Sequence, residues 1–474
     1  MTELSTIPVT ELAELYRSGA ASPVEATRAA LDAIARHQDS VNAFVLVDED
    51  GALESASESE KRWQTGTSLG PADGIPTSVK DVFLTAGWPT LRGSLLIDDA
   101  VPWTEDAPAV ARLREAGSVL LGKTTTPEFA WKGVTDSIRH GVTGNPWGAG
   151  LQPGGSSGGS ATAVGLGMGN WSIGTDGGGS VRIPASLTGT VALKPTHGLI
   201  PIYPASPFGT LSHAGPMTRT VRDAAVLLDL LVGFDARDPL AMPTPSRSFV
   251  DGIDEGIAGL RIAVSPNLGF VQNDPEVDTA VRAAVAVLEQ AGARVEQLDP
   301  GFDDPVEALL VLWFAGAARV LDGYPAQALE RIDPLLRRSV EQGRTLTASD
   351  FLDASAVRNN LGIRMGKLHA DFDLLVTPTL PIAAFQAGRD TPAGWHCDLW
   401  TSWTPYTYPF NMTGQPALSV PCGFTADERP IGLQIVGPRH ADATVLRAGH
   451  TYQQRTDWSQ RVPTLSRTKQ GQRQ

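Results

Sequence analysis

Serine set in glycine constrains this chain more than any other feature. Gly-Gly-Ser-Ser-Gly-Gly-Ser occupies 154–160, and fifteen residues later Asp-Gly-Gly-Gly-Ser-Val-Arg-Ile-Pro-Ala-Ser occupies 176–186. Glycine takes positive φ and lets a ligand approach the backbone closely. The bare N–H groups of Gly177, Gly178, Gly179 and Ser180 can therefore converge on one point, as an oxyanion hole requires. Upstream, Gly74-Ile75-Pro76-Thr77-Ser78-Val79-Lys80-Asp81 ends a β-branched stretch in a lysine. Buried and neutral, that lysine would serve as a base. One lysine and two serines suffice for a serine hydrolase that uses no histidine. Each residue also has an ordinary reading. Serines in glycine-rich loops most often make local turn hydrogen bonds, and Lys80 beside Asp81 fits one half of an ion pair.

Composition narrows the class. With 474 residues, 42% of them hydrophobic, the chain can bury a large core. Its length permits two or three average domains or one large α/β unit. No run of about 18 apolar residues predicts a membrane span. A net charge of −14 opposes a nucleic-acid partner held through phosphates. Cys397 and Cys422 give neither a disulfide framework nor metal-ligand spacing, and the eight histidines form no His-x-x-x-His pair. Neither a metal nor a cofactor is therefore expected. The start, Met-Thr-Glu-Leu-Ser-Thr, lacks the basic and apolar regions of a signal peptide, which predicts a cytoplasmic protein.

Helical and strand patterns alternate along the chain. Ser22-Pro23-Val24-Glu25 is a capping box with proline at the first helical position, and it predicts a helix of about four turns. A second helical pattern covers 107–116. Gly117 stops it, and Ser118-Val119-Leu120-Leu121 predicts a buried strand. Further strands are expected at 260–264, 374–378 and 417–421. Strands separated by helices predict an α/β fold with a largely parallel or mixed sheet covered on both faces. A smaller lobe is marked off at about 300–368, and the polar end, 466–474, predicts disorder.

Two motifs compete with the lysine–serine reading. Gly117-Ser118-Val119-Leu120-Leu121-Gly122-Lys123-Thr124 fits a phosphate loop letter for letter. Its middle residues are strand-like, a helix precedes it, and Pro127 stands where the helix interior should follow, so nucleotide binding is disfavoured. Gly154-Gly155-Ser156-Ser157-Gly158 fits Gly-x-Ser-x-Gly, which would make Ser156 the nucleophile of an α/β-hydrolase served by His197, His213 or His440. That elbow needs a hydrophobic strand before it, and 145–153 is turn-forming throughout.

Taken together, the spaced elements resemble the amidase signature family. They are Pro-Gly-Gly-Ser-Ser-Gly-Gly-Ser at 153–160, Gly-Thr-Asp-Gly-Gly-Gly-Ser-Val-Arg-Ile-Pro-Ala-Ser at 174–186, and Gly122-Lys123-Thr124 ahead of Thr126-Pro127-Glu128-Phe129. Asn145-Pro146-Trp147, Leu193-Lys194-Pro195-Thr196-His197-Gly198 and Pro421-Cys422-Gly423-Phe424 complete them, and the likeness runs from about 12 to 447. The resemblance implies one domain over 1–474, with a helical segment at 1–60, a catalytic core at 61–240 and a three-layer α/β/α fold around a large mixed sheet. It also implies Ser180 as nucleophile, Ser156 as bridging serine on a cis Gly155–Ser156 peptide, and Lys80 as base. Asp176 and Arg182 would brace the Ser180 loop, and Ser157 would lend a hydrogen bond. Lys123 and Lys194 stay outside the catalytic set, because packing explains them as well.

Substrate is the least legible part. Residues 395–408 concentrate three tryptophans and two tyrosines, which line pockets as readily as they fill cores. Rings that reached the cleft would favour an aryl or bulky amide, anilide, ester or carbamate, and so urethanase activity as well. The rival is the glutamine-hydrolysing subunit of a tRNA amidotransferase. That branch resembles Asp-Ile-Tyr-Thr-x-Pro-x-Asn-Leu-Ala-Gly, whose aspartate holds the substrate ammonium; here Thr404 stands at the aspartate position of Thr-Pro-Tyr-Thr-Tyr-Pro-Phe-Asn-Met-Thr-Gly. A catalytically silent binding protein is opposed by intact Lys80, Ser156 and Ser180. The expected partner is a small molecule, with a homodimer the one self-assembly left open.

Overall fold

Neighbouring residues of one strand face different cores here. Ile262 and Val264 join one apolar cluster while Ala263 between them joins another; Leu374 and Val376 are divided from Leu375 in the same way, and Val191 and Leu193 from Ala192. Such alternation of wholly apolar strands requires a sheet covered on both sides. The computed structural model describes residues 4–463 and 465, so the tail at 466–474 lies outside the described residues.

The strands run β1 (Phe44–Val47), β2 (Pro76–Lys80), β3 (Val119–Thr124), β4 (Asp136–Ser137), β5 (Gly141–Val142), β6 (Trp171–Asp176) and β7 (Val191–Lys194). They continue with β8 (His213–Thr218), β9 (Arg261–Val264), β10 (Arg294–Gln297), β11 (Leu374–Pro378), β12 (Ala417–Phe424) and β13 (Pro430–Val436). Eleven of them form one sheet in the order β1-β3-β2-β6-β8-β7-β12-β13-β11-β9-β10, and β4 and β5 form a separate hairpin. Parallel pairs join β3, β2 and β6 on one side and β11, β9 and β10 on the other, with antiparallel pairs from β6 through β13 between them. The fold is three-layer α/β/α with a mixed central sheet.

Local signals explain most elements. Ser22 Oγ accepts from the Glu25 amide while Glu25 Oε2 accepts from the Ser22 amide, and the helix Pro23–Val41 runs 19 residues, longer than the four turns expected. The helix Pro108–Glu115 precedes Gly117 at φ 75, and the strand after it extends to Thr124. Helices Val306–Val320, Pro334–Gly343 and Ala348–Asp371 share an apolar cluster with Phe129, Trp131, Trp400 and Tyr408, so this segment packs directly on the body. Among the described residues no helix is long and apolar enough to cross a membrane.

The placement that matters is the β2–β6 pair. Val79 sits opposite Ile173 in parallel register, so Lys80 and Thr175 end neighbouring strands at the same edge of the sheet. Carboxyl ends of parallel strands are where open α/β sheets present their ligands.

Candidate active site

Three segments meet at that edge. Lys80 closes β2, Thr175 and Asp176 close β6, and Ser156 and Ser157 lead into the helix Gly158–Gly165. The Gly155–Ser156 peptide is cis. Gly155 is obligatory at its place, since a Cβ there would lie 2.3 Å from the Val134 carbonyl oxygen. Lys80 Nζ stands 2.7 Å from Ser156 Oγ, 2.9 Å from Ser157 Oγ and 2.9 Å from Thr175 Oγ1. It is fully buried, and burial pushes its amine well below the ordinary lysine range, only partly opposed by the charge of Asp176.

Ser180 and Ser156 open into one cavity of about 620 Å3. The two serine turns are tied together, the Ser157 amide donating to the Ser180 carbonyl at 3.1 Å. Asp176 braces the second turn. Its Oδ1 accepts from the Gly179 amide at 2.7 Å and its Oδ2 from the Val181 amide at 3.3 Å, while Arg182 clasps it through Nε and Nη2, each at 3.0 Å. Burial alone would raise the Asp176 carboxyl; Arg182, Lys194 and Asn411 outweigh it and hold the group at about 2. Of the four amides expected as oxyanion donors, that of Gly179 is engaged by Asp176. Gly177, Gly178 and Ser180 remain as the amides without a protein acceptor among the described residues.

Several partners were not foreseen. Thr175 directly precedes the quoted aspartate, yet nothing in the sequence marks its hydroxyl as a third contact of Lys80. Asn411 Nδ2 reaches Asp176 Oδ1 at 2.8 Å, Arg182 Nη1 donates to Gln434 Oε1 at 2.7 Å, and Thr407 Oγ1 donates to the Gly178 carbonyl at 2.6 Å. Gln434 carried one signal, a lone amide in the apolar strand Pro-Ile-Gly-Leu-Gln-Ile-Val.

The competing residues lie elsewhere or are occupied. Lys123 sits inside β3 with Nζ on the Phe83 carbonyl, Thr90 Oγ1 and, at 3.6 Å, Asp81. Burial lowers its amine to about 8. Lys194 donates to the carbonyls of Gln415 and Pro195 and faces His213 Nε2 at 3.3 Å. Of the three candidate histidines only His213 lines the cavity, with Nδ1 held by the Leu211 carbonyl at 2.9 Å. The aromatic stretch at 395–408 packs rather than lines. Trp400, Trp403, Tyr406 and Tyr408 are all buried and none belongs to the cavity wall, whose rings are Phe83, Phe129, Tyr203, Phe208, Trp313 and Tyr324. Thr404 is buried too, its hydroxyl on the Trp400 carbonyl.

The chain is similar to known proteins over nearly its whole length. The family model described as Amidase matches residues 25–446. An acylamidase of Rhodococcus erythropolis is 37% identical over 98% of this chain and 99% of its own. A glutamyl-tRNA(Gln) amidotransferase subunit from Chloroflexus aggregans is 35% identical over 98% of this chain and 100% of its own. Among solved structures, a bacterial aryl acylamidase of the amidase signature family superposes with a TM-score of 0.89 at 29% identity, covering 96% of this chain and 97% of that one.

Proposed function

The chain belongs to the amidase signature family and is thereby a hydrolase of carbon–nitrogen bonds; on that premise we propose that it acylates Ser180 with an aryl or bulky amide, using Lys80 as base and Ser156 as the bridge between them. The observation that carries this reading is a fully buried lysine amine 2.7 Å from the hydroxyl of a serine that shares its cavity with Ser180. A neutral amine has two N–H donors and one lone pair. Ser157 turns its own hydroxyl toward the Thr175 carbonyl at 3.2 Å and so accepts from Lys80; Thr175 Oγ1 accepts the second N–H, and the lone pair faces Ser156. Ser180 Oγ then attacks the carbonyl carbon while its proton passes through Ser156 to Lys80. The Gly177, Gly178 and Ser180 amides hold the oxyanion. Collapse of the tetrahedral species breaks the C–N bond as the proton returns to the leaving nitrogen, and water removes the acyl group by the same route.

The cavity wall supports the choice of substrate. Six aromatic rings and no carboxylate line it, so an aryl group has partners there and the ammonium of free glutamine has none. The same reading takes 1–474 as one catalytic unit, because Trp313 of the helical segment completes the wall. The test is a comparison of kcat/KM across anilides, aliphatic amides, aryl carbamates, aryl esters and glutamine. Aryl amides or carbamates are expected to exceed glutamine by about a hundredfold or more, the scale set by an unpaired charge in a site. Efficient glutaminase activity, or copurification with other components of an amidotransferase, would overturn the reading in favour of the rival.

A further inference from the structure

Two cations line the catalytic cavity, and they differ in kind. Arg319 is an exposed side chain already paired with Asp322 at 3.0 Å. Arg92 is half-buried in a wall that includes Phe83, Phe129 and Tyr324, and its guanidinium has no hydrogen bond or ion pair among the described residues. Asp81, whose charge it feels, is engaged through Oδ1 by Lys123 and the Leu91 amide and forms no ion pair with Arg92. The Arg92 backbone is fixed: φ is 51, in the left-handed region, and its carbonyl accepts from the Phe129 amide at 2.7 Å. Glycine adopts that conformation more readily than a residue with a Cβ, and arginine stands there instead.

From this arrangement we infer that Arg92 determines specificity by binding a carboxylate carried on the substrate away from its scissile carbonyl. A guanidinium left without a counter-ion among aromatic rings is poorly solvated, and its planar fork matches a carboxylate through two parallel hydrogen bonds. Burial also draws the guanidinium below its ordinary range, which an incoming anion would reverse. Tyr324 lines the same wall and offers its phenol beside the pair. The cavity would then read its ligand at two places, the reacting carbonyl at Ser180 and an acid group at Arg92, with apolar substance between them.

The inference rests on the amide-hydrolase reading above, and matched substrates separate the two. Glutaryl 4-nitroanilide is compared with hexanoyl 4-nitroanilide for a carboxylate on the acyl side, and 4-acetamidobenzoate with acetanilide for one on the amine side. In the wild type, one carboxylate-bearing substrate is expected to exceed its neutral partner in kcat/KM by about ten- to a hundredfold, the range of a charge-assisted pair. Arg92→Met should remove that preference by raising KM for the acid with kcat little changed, and leave the neutral anilide within about threefold. Arg92→Lys should keep part of the preference, which guards against a Met variant that folds poorly. Equal or better turnover of both neutral partners by the wild type, or parallel losses on acid and neutral substrates in Arg92→Met, would overturn the inference while leaving the hydrolase reading intact. Failure of every anilide together with a Ser180 that resists fluorophosphonate would remove both.

Discussion

Lys80, Lys123 and Lys194 are all buried in strands of one sheet, and what each amine touches separates their roles. Lys123 donates to the Phe83 carbonyl and to Thr90 Oγ1, a hydroxyl outside the cavity wall, and Lys194 donates to two backbone carbonyls. Lys80 meets three hydroxyls, and two of them, Ser156 and Thr175, line the cavity with Ser180, where a proton can be handed on. Lys80→Ala is accordingly expected to lower amide turnover by more than about 10³-fold with the fold retained, checked by kcat/KM and circular dichroism. A folded Lys80→Ala protein with wild-type amidase activity would refute the assignment. The pH dependence has a definite sign. The folded amine titrates below its unfolded value of 10.5, so activity on an anilide rises with pH and levels off well below that value. Stability follows the same linkage. The unfolded chain binds the extra proton between the two pKa values, so stability rises with pH across that window, and charged Lys80 weakens the fold below it. Lys80→Met should therefore match or exceed the wild type in Tm at neutral pH. A fluorophosphonate is expected to label Ser180 and leave Ser156 unmodified, as peptide mapping can show. His213→Asn should stay within about tenfold in kcat, against the roughly 10⁴-fold loss of a triad histidine. The serines and lysines could be named from their motifs, but which lysine meets the hydroxyls of the cavity depends on strands brought together from distant parts of the chain.

Elements with local causes were legible in the same uneven way. The Ser22–Glu25 cap announces its helix because all the atoms involved lie within four residues. The mixed sheet follows from short apolar runs between helices. Order among strands does not, because β12 enters beside β7, a strand more than two hundred residues earlier in the chain. The aromatic stretch at 395–408 could not be divided between wall and core from composition, since the same rings serve both. The structure settles it by close approach: a Cβ on Gly178 would lie 2.6 Å from Trp400 Cη2, so the indole is the floor on which the Gly177–Ser180 turn rests. Gly178→Ala should thus lower kcat by roughly ten- to a hundredfold as the loop shifts by a fraction of an ångström. Adding Trp400→Leu, which removes the opposing ring edge, is expected to restore part of that loss. An unchanged Gly178→Ala enzyme would show that the loop is not held there.

At the scale of the whole molecule, the brace of the Ser180 loop reaches from β6 to β13, across five of the sheet's eleven strands. Asp176 and Arg182 are secured by Asn411 and Gln434, 235 and 252 residues away from their partners. Asn411→Ala leaves both ions short of a hydrogen bond in a buried setting, which is expected to cost about 1–3 kcal/mol of stability. It should also lower kcat more than it raises KM, as urea denaturation and steady-state kinetics can establish. Equal stability and kinetics would mean that the loop holds itself. No motif spacing discloses that link, because it is made only when the last strands are in place. Protein synthesis gives it a temporal meaning. A ribosome that has already translated Lys80, Ser156 and Ser180 has yet to add Asn411 and Gln434, so the hydrogen bonds that brace Asp176 and Arg182 can be completed only after β13 has been made.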